Sequence, residues 1–307
     1  MSENGISAEA FKLLRGYIET ECGISLGNDK QYLVESRLKD VVRSEGCNNF
    51  SDLYLKARGE SGTRLRDIII DAMTTNETLW FRDGGPFKVF REEMLPQFAD
   101  EVTKGKRTRI RIWCAASSTG QEPYSLAMMY LEYLRNQSVL DKTHLEIVAS
   151  DISPTAIAQA RSGRYNGISV DRGLPAELRD RYFEQSGRDW QITDELKQMV
   201  RFQQFNLQDS FMLMGKFDII LARYVAIYFS DQFKQDLYKK IWRALFGGGT
   251  FFLGSSETLG SFSQDFDSKS YHGNVYYQAR QDQFEPKEMT AMERVQEMLS
   301  KAGLEEK

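Results

Sequence analysis

Histidine is nearly absent from the sequence, with only His144 and His272 among 307 residues. Neither histidine has a second histidine or a cysteine close to it, whereas zinc sites and histidine relays need such clusters. We therefore predict that the chain has no metal site and that its chemistry works without histidine.

Cysteine and long apolar runs are also scarce. The three cysteines, Cys22, Cys47 and Cys114, are widely spaced and odd in number, which is typical of reduced thiols. The amino terminus lacks a signal-peptide pattern, and no apolar run approaches the ~20 residues needed to cross a bilayer. We predict a cytoplasmic protein with no membrane insertion. The formal net charge of -4 argues against nucleic acid as a partner.

Residues 7–74 show the apolar spacing of helices and few strand patterns. In the first segment, Phe11, Leu14 and Ile18 share one face, while Ser7 is a suitable N-cap and Gly23 a suitable terminator. Similar segments follow, so we predict a bundle of about four helices. We assign residues 1–83 to this helical domain and its linker.

Basic residues lie on the polar side of the second predicted helix. Arg37, Lys39 and Arg43 are interspersed with leucine and valine residues that should face inward. Two interpretations remain open, an ordinary solvated surface and a docking face for an acidic partner.

The rest of the chain is organised around the stretch from Arg109 to Asp151. A strand pattern, RIRIW, enters the small-residue loop CAASSTG, a helix pattern follows, and LEIVASD is a second strand pattern that ends in an acid. This order predicts most of a parallel βαβ unit with a ligand crevice at the strand ends. The loop contains only Gly120, so it lacks the glycines of a phosphate cradle.

Two carboxylates suit a different ligand at this crevice. Glu122 lies at the start of the predicted helix, and Asp151 lies at the end of the next strand. Such a pair favours a ligand with a cationic centre and a ribose diol, and S-adenosylmethionine has both and no phosphate. The pattern leaves one alternative open, an ordinary α/β crevice with two surface acids.

The segment TTNETLWFRD, which precedes this unit, combines hydroxyls and an amide with Arg82 and the rings of Trp80 and Phe81. This composition indicates the edge of a ligand site. In the alternative interpretation, the two rings pack the helical bundle on the sheet domain.

Strands alternate with helices over residues 109–280, which predicts an α/β sheet with at least one late antiparallel strand. A polar insertion interrupts this alternation, and its short patterns WQIT and MVRFQQF predict a small antiparallel lobe at about residues 182–205. Residues 84–285 are assigned to the sheet domain and residues 286–307 to a C-terminal helical tail.

Six separated motifs agree in order and spacing with one known family. TTNETLWFRD, AASSTGQEPYSLAM, SDIS, FNLQD, FDIILARYVAIYF and LGSSETL resemble the chemotaxis receptor methyltransferases (CheR-type), over residues of about 7–280. The resemblance implies a Rossmann-like S-adenosylmethionine-dependent methyltransferase sheet with an N-terminal all-α domain and a small antiparallel β-subdomain. It also implies a protein-glutamate O-methyltransferase that modifies chemotaxis receptors and releases S-adenosylhomocysteine. The implied partners are the methylation helices of these receptors and, in some members, a C-terminal pentapeptide.

The resemblance also implies roles for individual residues. Arg82 and Tyr228 match the positions proposed to lie closest to the transferred methyl group, which makes them the catalytic candidates. The cofactor-binding candidates are Asn76, Thr78 and Arg82 in the segment that covers the cofactor, Glu122 in the loop, Asp151 at the ribose, Asn206 and Leu207 beside the adenine, and Arg223 and Tyr224 after the strand FDIILA.

Two positions depart from the family pattern. Tyr224 stands where the family usually has asparagine, and Ser255 stands where it usually has histidine. The first departure removes a side-chain amide but preserves a backbone contact with the cofactor. Two alternatives remain open beside receptor methylation. One is a methyltransferase for another substrate, such as a small amine, and the other is a non-catalytic module that senses the cofactor, whose main support is the Tyr224 departure.

Overall fold

The computed structural model describes residues 5–59, 62–262 and 264–280. The predicted tail at residues 286–307 lies outside these ranges, as do the last residues of the predicted sheet domain. Within the described ranges, no helix is long and apolar enough to span a membrane.

Four helices form the amino-terminal part of the described chain: α1 (Ala8–Cys22), α2 (Gln31–Ser44), α3 (Phe50–Ala57) and α4 (Gly62–Met73). Ser7 Oγ accepts the backbone N–H of Ala10, and Gly23 ends α1 in the left-handed conformation, as the sequence predicts. The inward faces of the helices share one core, in which Leu14 and Leu38 are fully buried. The predicted helical bundle is therefore confirmed.

The basic residues of α2 divide into two groups. Arg37 turns inward, and its guanidinium donates to the main-chain carbonyl of Thr74 at 2.9 Å, just after α4. Lys39 and Arg43 are exposed, and Arg43 pairs with the neighbouring Asp40 at 3.3 Å. The prediction that all three charges lie on the open face is thus wrong for Arg37, because the end of α4 offers carbonyls that a cation can satisfy.

Ten strands are present in the described residues. In chain order they are β1 (Ile110–Ala115), β2 (Leu145–Asp151), β3 (Arg164–Asn166), β4 (Phe183–Ser186), β5 (Asp189–Ile192), β6 (Val200–Gln204), β7 (Phe217–Leu221), β8 (Leu245–Phe252), β9 (Phe266–Tyr271) and β10 (Asn274–Ala279). The remaining α-helices are α5 (Gly85–Val89), α6 (Leu95–Thr103), α7 (Gln121–Leu134), α8 (Pro154–Ser162), α9 (Gly167–Asp171), α10 (Ala176–Tyr182), α11 (Asp194–Lys197) and α12 (Asp231–Ala244).

Seven strands form one sheet in the order β6-β2-β1-β7-β8-β10-β9. β1 pairs in parallel with β2 and β7, whereas β10 pairs antiparallel with β8 and β9. The predicted α/β sheet with a late antiparallel strand is therefore confirmed. The chain passes from β1 to β2 and later returns to β7 on the other side of β1. A crevice consequently opens at the carboxyl ends of these three strands.

Both faces of this sheet are covered, as the continuous apolar runs of its strands require. On β1, Ile112 and Cys114 belong to the core on one face, and Trp113 and Ala115 belong to the core on the other. Trp113 is fully buried, and its indole N–H donates to Ser150 Oγ on β2 at 2.9 Å. Burial of one large apolar side chain stabilises a fold by about 1.5–3 kcal/mol, so the strand ends that border the crevice are firmly held.

The second sheet contains three short antiparallel strands in the order β3-β5-β4. The sequence predicts a small antiparallel lobe here, but the strands that form it are not all the predicted ones. β3 joins the lobe from outside the range of about 182–205, and β6 leaves it to pair in parallel with β2. β6 buries Val200 and Phe202 and exposes Arg201. β6 is an edge strand of the large sheet, and such a strand alternates buried and exposed residues just as a strand of the small lobe does. This shared alternation is why β6 was assigned to the lobe from its sequence.

Candidate active site

A cavity lies at the carboxyl ends of β1, β2 and β7, where this type of sheet binds ligands. Six segments line it: the end of α1, the linker after α4, the β1–α7 loop, the end of β2, and the segments that follow β6 and β7. The structure brings every sequence-predicted site residue to this cavity, namely Asn76, Thr78, Arg82, Glu122, Asp151, Asn206, Leu207, Arg223, Tyr224 and Tyr228. Their individual roles stay predictions.

Left-handed backbone conformations of non-glycine residues are concentrated around this cavity. Ala116 and Ser118 have φ values of 58° and 51° in the β1–α7 loop, and Tyr224 has a φ of 58° after β7. Phe81 and Asp83, which flank Arg82, are left-handed as well. Such conformations cost of order 1–3 kcal/mol each and cluster at ligand sites. The surrounding fold therefore holds this site in a defined geometry at some expense in stability.

Asp151 ends β2 and binds the backbone of two neighbouring turns. Its Oδ2 accepts the N–H of Ser118 at 2.8 Å, and its Oδ1 accepts the N–H of Ser153 at 3.0 Å. The residue is 7% exposed. Burial raises the pKa of its carboxyl group, and the backbone N–H donors oppose that rise without cancelling it. Asp151 is thus a fixed, largely desolvated acceptor on the cavity wall.

Arg223 follows β7 and lies between two carboxylates. Its Nη1 donates to Glu122 Oε2, and its Nη2 donates to Asp83 Oδ2, each at 2.7 Å. Nη2 also donates to the carbonyl oxygen of Arg82 at 2.6 Å. Burial acts to lower the pKa of Arg223, but the two carboxylates outweigh it and raise the pKa. Arg223 therefore ties the start of α7 to residues 74–83, which we call the covering segment.

The guanidinium of Arg82 stacks on the ring of Tyr224, with Arg82 Cζ 3.6 Å from the ring centroid. Tyr224 Oη donates to Asp83 Oδ2 at 2.6 Å and lies 2.9 Å from Ser255 Oγ. The backbone N–H of Tyr224 donates to Glu257 Oε2 at 2.5 Å. The two departures from the family pattern, Tyr224 and Ser255, are thus in direct contact.

The helical domain closes one side of the cavity through contacts with the sheet domain. Asn206 Nδ2 donates to the carbonyl oxygen of Glu21 in α1 at 2.8 Å. The backbone N–H of Ser25 donates to the carbonyl oxygen of Tyr228, also at 2.8 Å. Leu207, next to Asn206, is 7% exposed and adds an apolar wall. Asn206, predicted to bind the cofactor, and Tyr228, predicted to be catalytic, therefore also hold the helical domain in place.

The covering segment is anchored at both of its ends. The carbonyl oxygen of Asn76 accepts Ser118 Oγ–H at 2.9 Å, and Asn76 Nδ2 donates to Ser153 Oγ at 3.4 Å. Trp80 is fully buried, and its ring centroid lies 5.1 Å from that of Tyr165 in the small sheet. The segment that the sequence assigns to a ligand edge does line the cavity. Trp80 itself packs on the small sheet, so the alternative in which it packs the helical bundle on the sheet domain is wrong.

Sequence reasoning missed several residues of this site. Asp83 directly follows the catalytic candidate Arg82, but its contact with Arg223 depends on a left-handed backbone with a φ of 69°. The only sequence feature that could have indicated this conformation is the glycine pair that follows Asp83. Asp71 in α4 accepts the hydroxyl of Thr155 at 2.6 Å and so joins the helical domain to α8. Cys22 and Ile24 line the cavity from the end of α1. No local pattern in the sequence indicated these long-range contacts.

The chemistry of the cavity wall fits S-adenosylmethionine. Phe205, Leu207 and Ile152 provide apolar surface for a purine. The carboxylates of Asp151 and Glu122 also line the cavity, and the second Glu122 oxygen is not engaged by Arg223. Ser117 Oγ is buried without a hydrogen-bond partner among the described residues, as expected of a group that awaits a polar ligand. Together, this fold and site define a Rossmann-like methyltransferase that uses S-adenosylmethionine.

Comparisons with known proteins identify the family. Residues 76–274 match the family model described as "CheR methyltransferase, SAM binding domain", and residues 9–74 match "CheR methyltransferase, all-alpha domain". The chain is 38% identical to "Chemotaxis protein methyltransferase Cher2" of Pseudomonas putida, over 91% of this chain and 100% of the relative. It is 40% identical to the "Chemotaxis protein methyltransferase" of Vibrio parahaemolyticus, over 90% of this chain and 98% of the relative. The chain belongs to the CheR methyltransferase family.

Proposed function

We propose that this chain is a protein-glutamate O-methyltransferase that converts glutamate side chains of chemotaxis receptors to methyl esters and so tunes receptor adaptation. The names of its relatives support a chemotactic substrate. The structural observation that carries the proposal is Arg82, which lines the cavity and forms no salt bridge with the described residues. Such a guanidinium suits a carboxylate as the incoming group.

The proposed reaction needs no histidine. Bound S-adenosylmethionine supplies an electrophilic methyl group on a neutral leaving group. A glutamate side chain with a pKa near ~4.3 is already ionised at neutral pH, so no general base is required. His144 contacts Asp141 beside β2, and His272 lies in the turn between β9 and β10, both away from the lining of the cavity.

Catalysis then rests on alignment. In this proposal Arg82 orients the glutamate carboxylate, and Tyr228, 36% exposed at the cavity, helps to place the reacting groups. The helical domain, which closes one side of the cavity, excludes water from that side. Alignment of this kind can lower a barrier by about 7–11 kcal/mol at its limit.

Four further candidates serve the cofactor in this proposal. Asp151 accepts hydrogen bonds from the ribose hydroxyls, and Glu122 faces the cationic part of the ligand. Leu207 and the backbone at Asn206 border the purine. Two observations support these roles: the carboxylate of Asp151 is largely desolvated, and all four residues line the same cavity.

Two surfaces would bind the receptor. Lys39 and Arg43 of α2 are exposed and suit the acidic face of a methylation helix. β4 is an edge strand of the small sheet, so a C-terminal pentapeptide could add to it as a further strand. Methylation of a receptor fragment with and without its last five residues tests the second contact.

The proposal is tested by incubating the protein with methyl-labelled S-adenosylmethionine and a receptor cytoplasmic fragment. The expected result is receptor-bound label that mild base releases as methanol. Arg82→Ala should lose most of the turnover while still binding S-adenosylhomocysteine. Label on small amines but not on the receptor, or cofactor binding without any transfer, would overturn the proposal.

A further inference from the structure

The side chain of Arg82 is held by an aromatic face instead of a carboxylate. Its Cζ lies 3.6 Å from the centroid of Tyr224, and its Nη1 donates to the carbonyl oxygen of Glu77 at 3.2 Å. Arg82 forms no salt bridge with the described residues. Burial raises the pKa of the nearby Glu257, and the charge of Arg82 opposes that rise. Its guanidinium is consequently fixed in place without direct contact with a carboxylate, and N–H donors remain available to a ligand.

The ring that holds Arg82 is itself fixed from several directions. Tyr224 Oη donates to Asp83, its backbone N–H donates to Glu257, and its φ of 58° is a strained value for an aromatic residue. Gly254 lies directly against the ring, since a Cβ at this position would be 2.8 Å from Tyr224 Cε1 and Cζ. These contacts hold the ring in the place where the guanidinium of Arg82 lies over its face.

We propose that Tyr224 is a positioning residue for the methyl transfer, whose ring holds the guanidinium of Arg82 at the cavity in the place where it receives the substrate carboxylate. This inference rests on the proposed function, because it requires a carboxylate substrate. A carboxylate in place of the ring would also hold Arg82, but it would neutralise the charge and repel the incoming glutamate. An aromatic ring orients the guanidinium without competing with the substrate carboxylate for its charge.

The contribution of the hydroxyl group can be separated from that of the ring. Tyr224→Phe keeps the stacked ring and loses the bond to Asp83, whereas Tyr224→Leu loses the ring. Asp83 retains its bond to Arg223 in both variants. The ring should account for most of the effect, so Tyr224→Phe should retain much more activity than Tyr224→Leu.

The experiment is a double-mutant cycle with Arg82→Ala, read out as kcat/KM for a receptor fragment and as the Kd of S-adenosylhomocysteine. Tyr224→Leu should lower kcat/KM by about three- to tenfold, with the Kd of S-adenosylhomocysteine changed by less than about twofold. In the Arg82→Ala background the same substitution should have almost no effect. A merely structural role of Tyr224 would lower activity equally in both backgrounds.

Tyr54 provides a matched control, because Arg58 Cζ lies 5.9 Å from its ring centroid outside the cofactor cavity. Tyr54→Leu should leave kcat/KM unchanged. The inference is overturned if the losses are additive, if Tyr224→Phe is as inactive as Tyr224→Leu, or if Tyr224→Leu matches the wild type. Absence of receptor methylation by the wild-type protein would instead overturn the proposed function, so the two failures are distinguishable.

Discussion

Arg223 and Glu122 form a salt bridge of 2.7 Å in which the side chains are only 2% and 11% exposed. The bridge joins the segment after β7 to the first turn of α7, across the mouth of the crevice. Asp83 binds the same guanidinium at 2.7 Å. Removal of Arg223 would therefore leave two carboxylates without their cation.

We expect Arg223→Ala to lower the free energy of unfolding by about 3–5 kcal/mol, because breaking a buried pair strands the remaining charge. Urea denaturation measures this loss. Arg164 is a matched control, since its 2.9 Å salt bridge with Asp189 is largely exposed. Arg164→Ala should lose no more than about 1 kcal/mol. Equal losses in the two variants would contradict a structural role for the buried bridge.

Asp151→Asn should weaken binding of S-adenosylmethionine by tenfold or more, because hydrogen bonds to a charged acceptor contribute about 1.5–3 kcal/mol. Isothermal titration calorimetry with S-adenosylmethionine and with S-adenosylhomocysteine measures the effect. An affinity equal to that of the wild type would remove Asp151 from the ribose site.

The same substitution should also change how the stability of the ligand-free protein depends on pH. Burial raises the pKa of Asp151 in the folded state above its unfolded value of about 4. The carboxyl group thus favours folding below about pH 4, and this contribution is lost as the pH rises through the raised pKa. Asp151→Asn removes this titration but can accept only one of the two backbone N–H bonds, which costs about 1–3 kcal/mol at every pH. The unfolding midpoint of the variant relative to the wild type should therefore be more favourable near neutral pH than in acid. A gain that grows as the pH falls would contradict the assigned direction.

Gly23→Ala should loosen the helical domain from the sheet domain. Gly23 has a φ of 76°, and a Cβ there would clash with the ring of Phe233 in α12. Gly46 has a similar φ of 66° but open space around it, so Gly46→Ala measures the backbone cost alone, about 1–2 kcal/mol. We expect a larger loss of stability for Gly23→Ala, by about 1–3 kcal/mol. Cofactor affinity should fall only in Gly23→Ala, because Cys22 and Ile24 line the cavity. Identical behaviour of the two variants would show that the α1 end does not seal the site.

Charge reversal at Lys39 and Arg43 should slow receptor methylation without altering cofactor affinity, since both side chains are exposed on α2. The rate measured at low and high salt should differ less for the double variant than for the wild type. Arg37→Ala is expected to behave differently, with a loss of stability, because Arg37 binds the carbonyl oxygen that follows α4. An unchanged methylation rate in the double variant would rule out α2 as a docking face.

Much of this architecture could be predicted because it is governed by local pattern. The apolar runs of β1 and β2 and the helix pattern after Gly120 place Glu122 and Asp151 at one edge of a parallel sheet. Once the strands are parallel, their carboxyl ends must share an edge, so the gathering of the site residues follows.

The errors arose where long-range contacts determine the outcome. Arg37 has the sequence context of a surface residue, but the end of α4 binds it. β6 has the alternation of a lobe strand, yet its partner is β2. Tyr224 and Ser255 seemed to be independent departures, and only the fold shows that their hydroxyl groups lie 2.9 Å apart. No periodicity in a single sequence encodes such partners.

The most direct test of the account is to map the methyl group on a receptor fragment by mass spectrometry after incubation with the wild-type protein and S-adenosylmethionine. We predict methyl esters on glutamate side chains that are lost in mild base, and no esters when those glutamates are replaced by alanine. A methyl group on nitrogen or on another residue type, or an unmodified receptor despite cofactor binding, would contradict the assignment as a glutamate methyltransferase.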